Sequence, residues 1–281
     1  QAKNTQKMKS VISCTADEKY SYFIPIVTWA WNRLGVGVIL FLPESSKRDK
    51  KIQLGLNCMN YGYKENHHYY FDMPKHKEAT AAQCVRLYGA CLDLPEDEVL
   101  ITSDIDMAVF KVPEIKGGGF SVVGTDLVPE KQLPICYISA TVGTWRDYFN
   151  LKSKTYQQCL DSLLGKIECE SFRGNYWGKD QEEAFLRISG EGDLYKKSIE
   201  RKFYHPINRS NGQNQFAQNR YDRDDQFILD RLSPDTIDFH MPRPGYEDKN
   251  FQIILTILKY HYPDENFDWL ISYTNDYKKI L

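Results

Sequence analysis

The chain has 281 residues, of which 42% are hydrophobic and 14% aromatic, with 36 Lys and Arg against 38 Asp and Glu for a formal net charge of −2. That is enough apolar material for one large α/β domain, and the near-neutral charge supplies no long-range pull toward a polyanion, so no nucleic-acid partner is expected. The seven cysteines are scattered with no C-x-x-C, which excludes a zinc knuckle or a thioredoxin-type pair and points to a reducing compartment, and no run is apolar and long enough for a membrane-spanning segment.

Residues 1–9 are polar and read as a disordered tail, tag or linker, with 10–281 as a single domain. Gln1 opens no signal-peptide pattern, and an anchor removed upstream of it stays open. Ser10–Cys14 reads as a first strand. Pro25 suits the first turn of a helix running through Ile26–Leu34, which Gly35 ends. The apolar run Val36–Leu42 follows as a strand, so the chain opens with a Rossmann-like β-α-β unit, parallel paired and with a right-handed crossover. Lys47-Arg48-Asp49-Lys50-Lys51 is a solvated loop. Ile52–Cys58 and Tyr69–Phe71 are expected as short strands, and Lys77–Leu92 as a helix from the spacing of Ala81, Val85, Tyr88 and Leu92. Val99–Thr102 is a buried strand, Phe120–Gly124 and Ile135–Ser139 are later ones, and Thr155–Leu164 and Gln181–Ile188 are helices. Ser210–Arg223, rich in Asn, Gln and Arg, reads as a loop. Helices near Phe251–Tyr260 and Asp264–Lys278 close the chain. The sequon Asn208-Arg209-Ser210 leaves a secretory location open.

The densest chemical signal is Val99-Leu100-Ile101-Thr102-Ser103-Asp104-Ile105-Asp106, an apolar strand running into two carboxylates one residue apart. Hard divalent cations want such ligands, and ligands of open α/β sheets sit beyond the carboxyl ends of the strands. A D-x-D triplet arises about once by chance in a chain this long. A second, Asp222-Arg223-Asp224, lies in a polar segment and is set aside on that ground. An EF-hand loop fails because Ala108 and Val109 stand where a ligand and a glycine are needed. A haloacid-dehalogenase-like phosphatase also places D-x-D after a strand, with Asp224-Asp225 as a late metal pair, but on the first strand of its domain. P-loop and dinucleotide signatures are absent: Gly35-Val36-Gly37 lacks the third glycine, and Gly117-Gly118-Gly119 lacks its lysine.

Asp104-Ile105-Asp106, in that strand context, resembles the D-x-D of GT-A fold glycosyltransferases, and the likeness extends over most of the chain. It implies a mixed α/β sheet flanked by helices, with 10–110 as the nucleotide-binding half and 111–281 as the acceptor-binding half carrying the C-terminal helices. It implies a UDP-sugar donor, a Mn2+ or Mg2+ ion held by Asp104 and Asp106 against the diphosphate, and transfer to a hydroxyl of a glycan or glycoprotein acceptor. The cation is needed because the leaving nucleoside diphosphate gains charge as the glycosidic bond breaks. A C-terminal histidine completes such sites, and Asp238-Phe239-His240-Met241-Pro242-Arg243 offers His240 as third ligand and Arg243 as a brace for the diphosphate. A lone histidine among six is otherwise an ordinary surface or core residue.

Trp177-Gly178-Lys179-Asp180-Gln181-Glu182 resembles the family's acceptor-side acidic segment, which assigns the catalytic base to Asp180, with Glu182 second, and implies inversion. Carboxylates in a first helical turn also simply answer the helix dipole. The end of the first strand, Thr15, Ala16 and Asp17, corresponds to where the family reads base and ribose, although Asp17 serves equally as a helix cap. Arg86 reaches for the diphosphate or, by default, makes a salt bridge. Trp145, Tyr176 and Trp177 flank the expected acceptor side as stacking platforms. Size and the lack of a membrane segment resemble the small soluble glycosyltransferases of large algal viruses (chloroviruses). That likeness implies a soluble, cytoplasmic protein, in the host cytoplasm if viral, and xylose from UDP-xylose as one donor sugar. A non-catalytic carbohydrate-binding protein of the same fold is the alternative from another class.

Overall fold

The computed structural model describes residues 7–59, 65–165, 178–190, 204–207, 209 and 220–281. In chain order they form β1 (Met8–Ser13), the one-turn α1 (Glu18–Ser21), α2 (Ile24–Arg33), β2 (Gly37–Pro43), α3 (Lys50–Met59), β3 (His67–Phe71), α4 (Glu78–Val85), β4 (Val99–Thr102), β5 (Met107–Val109), β6 (Ser121–Val123) and β7 (Ile138–Thr141). There follow α5 (Val142–Phe149), α6 (Tyr156–Leu164), α7 (Lys179–Ser189), β8 (His205–Ile207), β9 (Arg220–Tyr221), β10 (Asp238–His240), α8 (Asp248–His261) and α9 (Asp268–Ile280).

Seven strands make a central sheet in the order β3-β2-β1-β4-β7-β6-β8. β3, β2, β1 and β4 run parallel, and β7 is antiparallel to both β4 and β6, so the sheet is mixed, as expected. β2 and β4 are continuous, fully buried runs because both faces are covered there. Ile12, Val38, Leu40 and Ile101 pack toward α2, α3, α8 and α9, while Val11, Ile39, Phe41 and Leu100 pack toward α4 to α7. The first three strands step outward from β1 and the chain then returns to place β4 on its other side. The carboxyl ends of β1 and β4 therefore flank a topological switch point, where such sheets bind ligands.

Several expected elements differ: Met8 and Lys9, expected in the polar tail, belong to β1, with Lys9 buried; Lys50 and Lys51 open α3 instead of lying in a loop; and Arg220–Tyr221, within the expected loop, form β9. Ile52–Cys58 is not a strand but part of α3, begun by Asp49, whose Oδ1 accepts from the amides of Lys51 (2.8 Å) and Ile52 (3.3 Å). The order Ile-Gln-Leu-Gly-Leu-Asn alternates like a strand, yet the residues actually buried are Ile52, Gly55, Leu56 and Met59, the helical period. Gly55 lets α3 lie close on α2: a Cβ there would stand 3.2 Å from that of Ile24. The helix expected over Lys77–Leu92 stays α-helical only over Glu78–Val85 and tightens to a 3-10 helix over Arg86–Cys91, where Gly89 presses against Val11. Ile135–Tyr137 is likewise a 3-10 turn, and the strand begins at Ile138. By contrast, α6 begins where expected, with Thr155 and Gln158 forming a reciprocal capping box.

A second sheet, β5-β10-β9, went unread in the sequence. It is pinned by Asp238, fully buried, whose carboxylate takes two bonds from Arg209 at 2.9 Å and two from Arg220 at 2.9 and 3.2 Å. Burial pushes the Asp238 carboxyl up, but the two guanidiniums outweigh it and hold it well below the carboxylate range. Arg209, the middle of the sequon, is thus an interior residue; Asn208 and Ser210 lie outside the described residues. Among the described residues, no helix is long and apolar enough to cross a membrane.

Candidate active site at the switch point

Strand pairing assembles the site. β5 leaves Asp106 directly, and β10 runs antiparallel to it in the register His240↔Met107, with the Met241 amide bonded to the Asp106 carbonyl at 2.9 Å. β9 lies parallel to β10 in the register Phe239↔Tyr221, which sets Asp222 and Arg223 beside His240. Residues more than a hundred positions apart therefore meet by backbone hydrogen bonding. His240 Nε2 stands 3.3 Å from Asp106 Oδ2, and its Nδ1 faces Asp222 Oδ2 at 3.8 Å. Arg223 Nη1 donates to the same Asp106 oxygen at 2.9 Å, and Arg243 Nε is 3.5 Å from it. Arg243 also donates to the Tyr20 hydroxyl and lies 4.8 Å from the centre of its ring.

The electrostatics follow from this crowding. Burial would raise the Asp106 carboxyl, but the His240 hydrogen bond and the charges of His240, Arg243 and Arg223 hold it at about 2. Burial would lower His240, yet its bonds to Asp106 and Asp222 raise it to about 9. Arg86 sits at the junction between α4 and the 3-10 turn. It donates from Nη1 to Asp104 and from Nη2 to Asp180 Oδ2 at 3.1 Å, so one buried guanidinium bridges the two carboxylates. Burial raises the Asp180 carboxyl, with Arg86 opposing.

All of these groups except Asp222 line a cleft of about 310 Å3. Of the residues singled out from the sequence, Thr15, Arg86, Asp104, Ile105, Asp106, Asp180, His240 and Arg243 line it. Ala16, Asp17 and Glu182 do not. Asp17 caps α1, accepting from the Lys19 amide at 2.9 Å, and Glu182 is half-exposed beside Lys179. Asp224 is exposed, and Asp225 caps the Phe227 amide at 2.9 Å and pairs with Arg231, so neither forms the late metal pair of a phosphatase. Trp145 is no stacking platform: it is buried against Phe120 and Phe149. Tyr176 and Trp177 lie outside the described residues. Sequence reasoning missed Tyr20, Asp222 and Arg223. The last two belong to the D-x-D triplet dismissed for its polar surroundings, and that triplet was the available signal.

Among the described residues, no cluster of three His, Cys, Asp or Glu side chains would hold a metal by itself. The donor set nevertheless fits a cation that a substrate completes. Two neighbouring ligands about 2.1 Å from an octahedral centre lie roughly 3.0 Å apart, near the 3.3 Å between Asp106 Oδ2 and His240 Nε2. Small hard cations are commonly bound by one or two carboxylates plus substrate phosphates rather than by a full protein cage. Asp104, with a side chain 37% exposed, and the buried Asp180 are the further carboxylates lining this cleft.

No family model and no curated protein matches the chain. Among solved structures it is similar to the galactosyltransferase LgtC in complex with donor and acceptor sugar analogs, at 8% identity and a TM-score of 0.47, covering 95% of this chain and 100% of that one. An active-site mutant of LgtC is similar at 9% identity and a TM-score of 0.46, covering 89% and 96%. The apo form of the glycosyltransferase GlyE from Streptococcus pneumoniae TIGR4 is similar at 12% identity and 0.39, covering 84% of this chain and 54% of that one. At that level these likenesses carry no weight on activity, and the function has to be read from the cleft.

Proposed function

We propose that the chain is a metal-dependent glycosyltransferase of GT-A type that moves a sugar from a UDP-sugar to a hydroxyl of a glycan. The observation that carries this reading is the meeting of Asp106, His240, Arg223 and Arg243 beyond the end of β4, in a cleft at the switch point of the sheet. Asp106 and His240, with Asp104, would hold Mn2+ or Mg2+. When bound, the cation stabilises the charge that develops on the leaving diphosphate. Arg243, steadied by Tyr20, adds fixed positive charge at the same place, and Thr15 at the end of β1 offers a hydroxyl to the nucleoside.

Asp180 is the lining carboxylate outside the metal set. Its bridge through Arg86 to Asp104, a proposed metal ligand, supports a role in holding a hydroxyl of the donor sugar. One observation favours the second reading, proton acceptance from the acceptor with inversion: burial raises the proton affinity of Asp180. Proton NMR of the first-formed product decides between them. An inverted anomer together with loss of turnover in Asp180→Asn supports Asp180 as base, and a retained anomer rules that role out.

The test of the main reading is calorimetric titration of uridine diphosphate with and without Mn2+, on the wild type and Asp106→Ala, followed by a donor panel of UDP-xylose and UDP-hexoses. Binding that requires both Mn2+ and Asp106 is expected. Binding indifferent to both would overturn the reading.

A further inference from the structure

Asp106 Oδ2 is approached by three nitrogen groups at once, the His240 ring and the Arg223 and Arg243 guanidiniums, and they differ in how firmly each is held. His240 is fixed by the β10 register and by Asp222. Arg243 is fixed by Tyr20, through both a hydrogen bond and its ring face. Arg223 follows the end of β9 by two residues and reaches the oxygen at 2.9 Å through a terminal nitrogen; it is as exposed as Arg243, but Asp106 is the one side chain it pairs with among the described residues. The Asp106 side chain is 8% exposed, so its charge needs a partner whenever no metal is present. A divalent cation seated between Asp106 Oδ2 and His240 Nε2 would be repelled by a guanidinium on that same oxygen.

We propose that Arg223 is a built-in stand-in for the divalent cation: it neutralises Asp106 in the empty cleft and passes to the donor's diphosphate when the cation takes its place. The inference rests on the reading of the cleft as a metal and nucleotide site. Arg223 thereby opposes metal binding without nucleotide and supports nucleotide binding with metal. It couples the two ligands, and such coupling is reciprocal. A guanidinium suits the exchange because its planar fork pairs with carboxylate and phosphate oxygens alike.

The experiment is a Mn2+ titration followed by electron paramagnetic resonance, without and with uridine diphosphate, on the wild type, Arg223→Gln, Arg223→Lys and Asp106→Asn. Arg223→Gln is expected to bind Mn2+ alone about ten-fold more tightly, and uridine diphosphate at saturating Mn2+ about ten-fold more weakly, within the usual span of coupling between sites. Arg223→Lys keeps a mobile cation and should retain most of the wild-type coupling. If Arg223→Gln binds Mn2+ alone no more tightly than wild type, the proposal is overturned, while wild-type binding of Mn2+ with nucleotide leaves the broader reading standing. If uridine diphosphate improves Mn2+ binding no more in wild type than in Asp106→Asn, the metal and nucleotide reading fails and the proposal goes with it.

Discussion

The parallel strands β3, β2, β1 and β4 and the small sheet β5-β10-β9 are held together by opposite means. The first is an apolar lattice: Leu40 and Phe41, successive residues of β2, are both fully buried, each facing a different layer of helices. The second has strands of two or three residues and a fully buried carboxylate clasped by two arginines. An apolar contact tolerates small shifts of its neighbours, whereas a bidentate ion pair requires a particular geometry. The sheet that must aim His240 and Arg223 at Asp106, and Asp222 at His240, is the one built on fixed geometry.

Removing Asp238 breaks this contrast most severely. Asp238→Ala leaves Arg209 and Arg220 buried without their carboxylate, which should destabilise the protein by about 3–5 kcal/mol. In a urea titration, loss of Mn2+-dependent nucleotide binding should precede loss of helical circular dichroism. Coincident transitions would mean that the small sheet has no separate stability. Leu40→Ala is the control in the other region. It should cost about 3 kcal/mol as a core cavity, with unchanged nucleotide affinity under native conditions, measured by the same titration and by calorimetry.

Gly245, two residues after Arg243, lies against Tyr22 and Phe23. A Cβ there would meet Phe23 Cε1 at 2.6 Å and Tyr22 Cε1 at 2.8 Å. Gly245→Ala should therefore cost about 1–3 kcal/mol by overpacking, and weaken nucleotide binding if Arg243 shifts with the loop. An unchanged melting temperature would contradict this.

The smallest expected effect is a pH dependence in the small-sheet region. His261 stacks on Phe110 with ring centres 3.8 Å apart and meets the Tyr221 hydroxyl at 3.1 Å. Burial, helped by the charge of Lys111, lowers its pKa to about 4. The folded state thus resists a proton that the unfolded chain accepts near 6.5. Stability is full above that pH and declines as pH falls toward 4, by on the order of 1–2 kcal/mol once solvent screening of a half-exposed ring is allowed for. Denaturant midpoints across this window should flatten in His261→Gln by that amount.

The same contrast explains what was legible in the sequence. Val36–Leu42 and Val99–Thr102 are runs of side chains buried on both faces, and Pro25 and Gly35 punctuate α2, so composition alone exposes them. Asp104 and Asp106 were readable because they follow such a run. β5, β9 and β10 are too short for any period to emerge, so the partners they bring to Asp106 were hidden. His240 and Arg243 were reached by family resemblance, and Asp222 and Arg223 not at all. α5 went unread too, and α3 was misread because Ile52, Leu54 and Leu56 mimic alternation while burial follows the helical turn.

The register of β10 against β5 carries a consequence for how such a chain can change. Successive residues of a strand face opposite sides, so sliding β10 by one position would turn His240 away and offer Phe239 or Met241 to Asp106. Length variation is therefore harmless only where it leaves this pairing intact. Within Met107–Val109 or Asp238–His240, a single inserted residue would be more damaging than most substitutions. The chemistry of the cleft depends on counting as much as on the kind of side chain present.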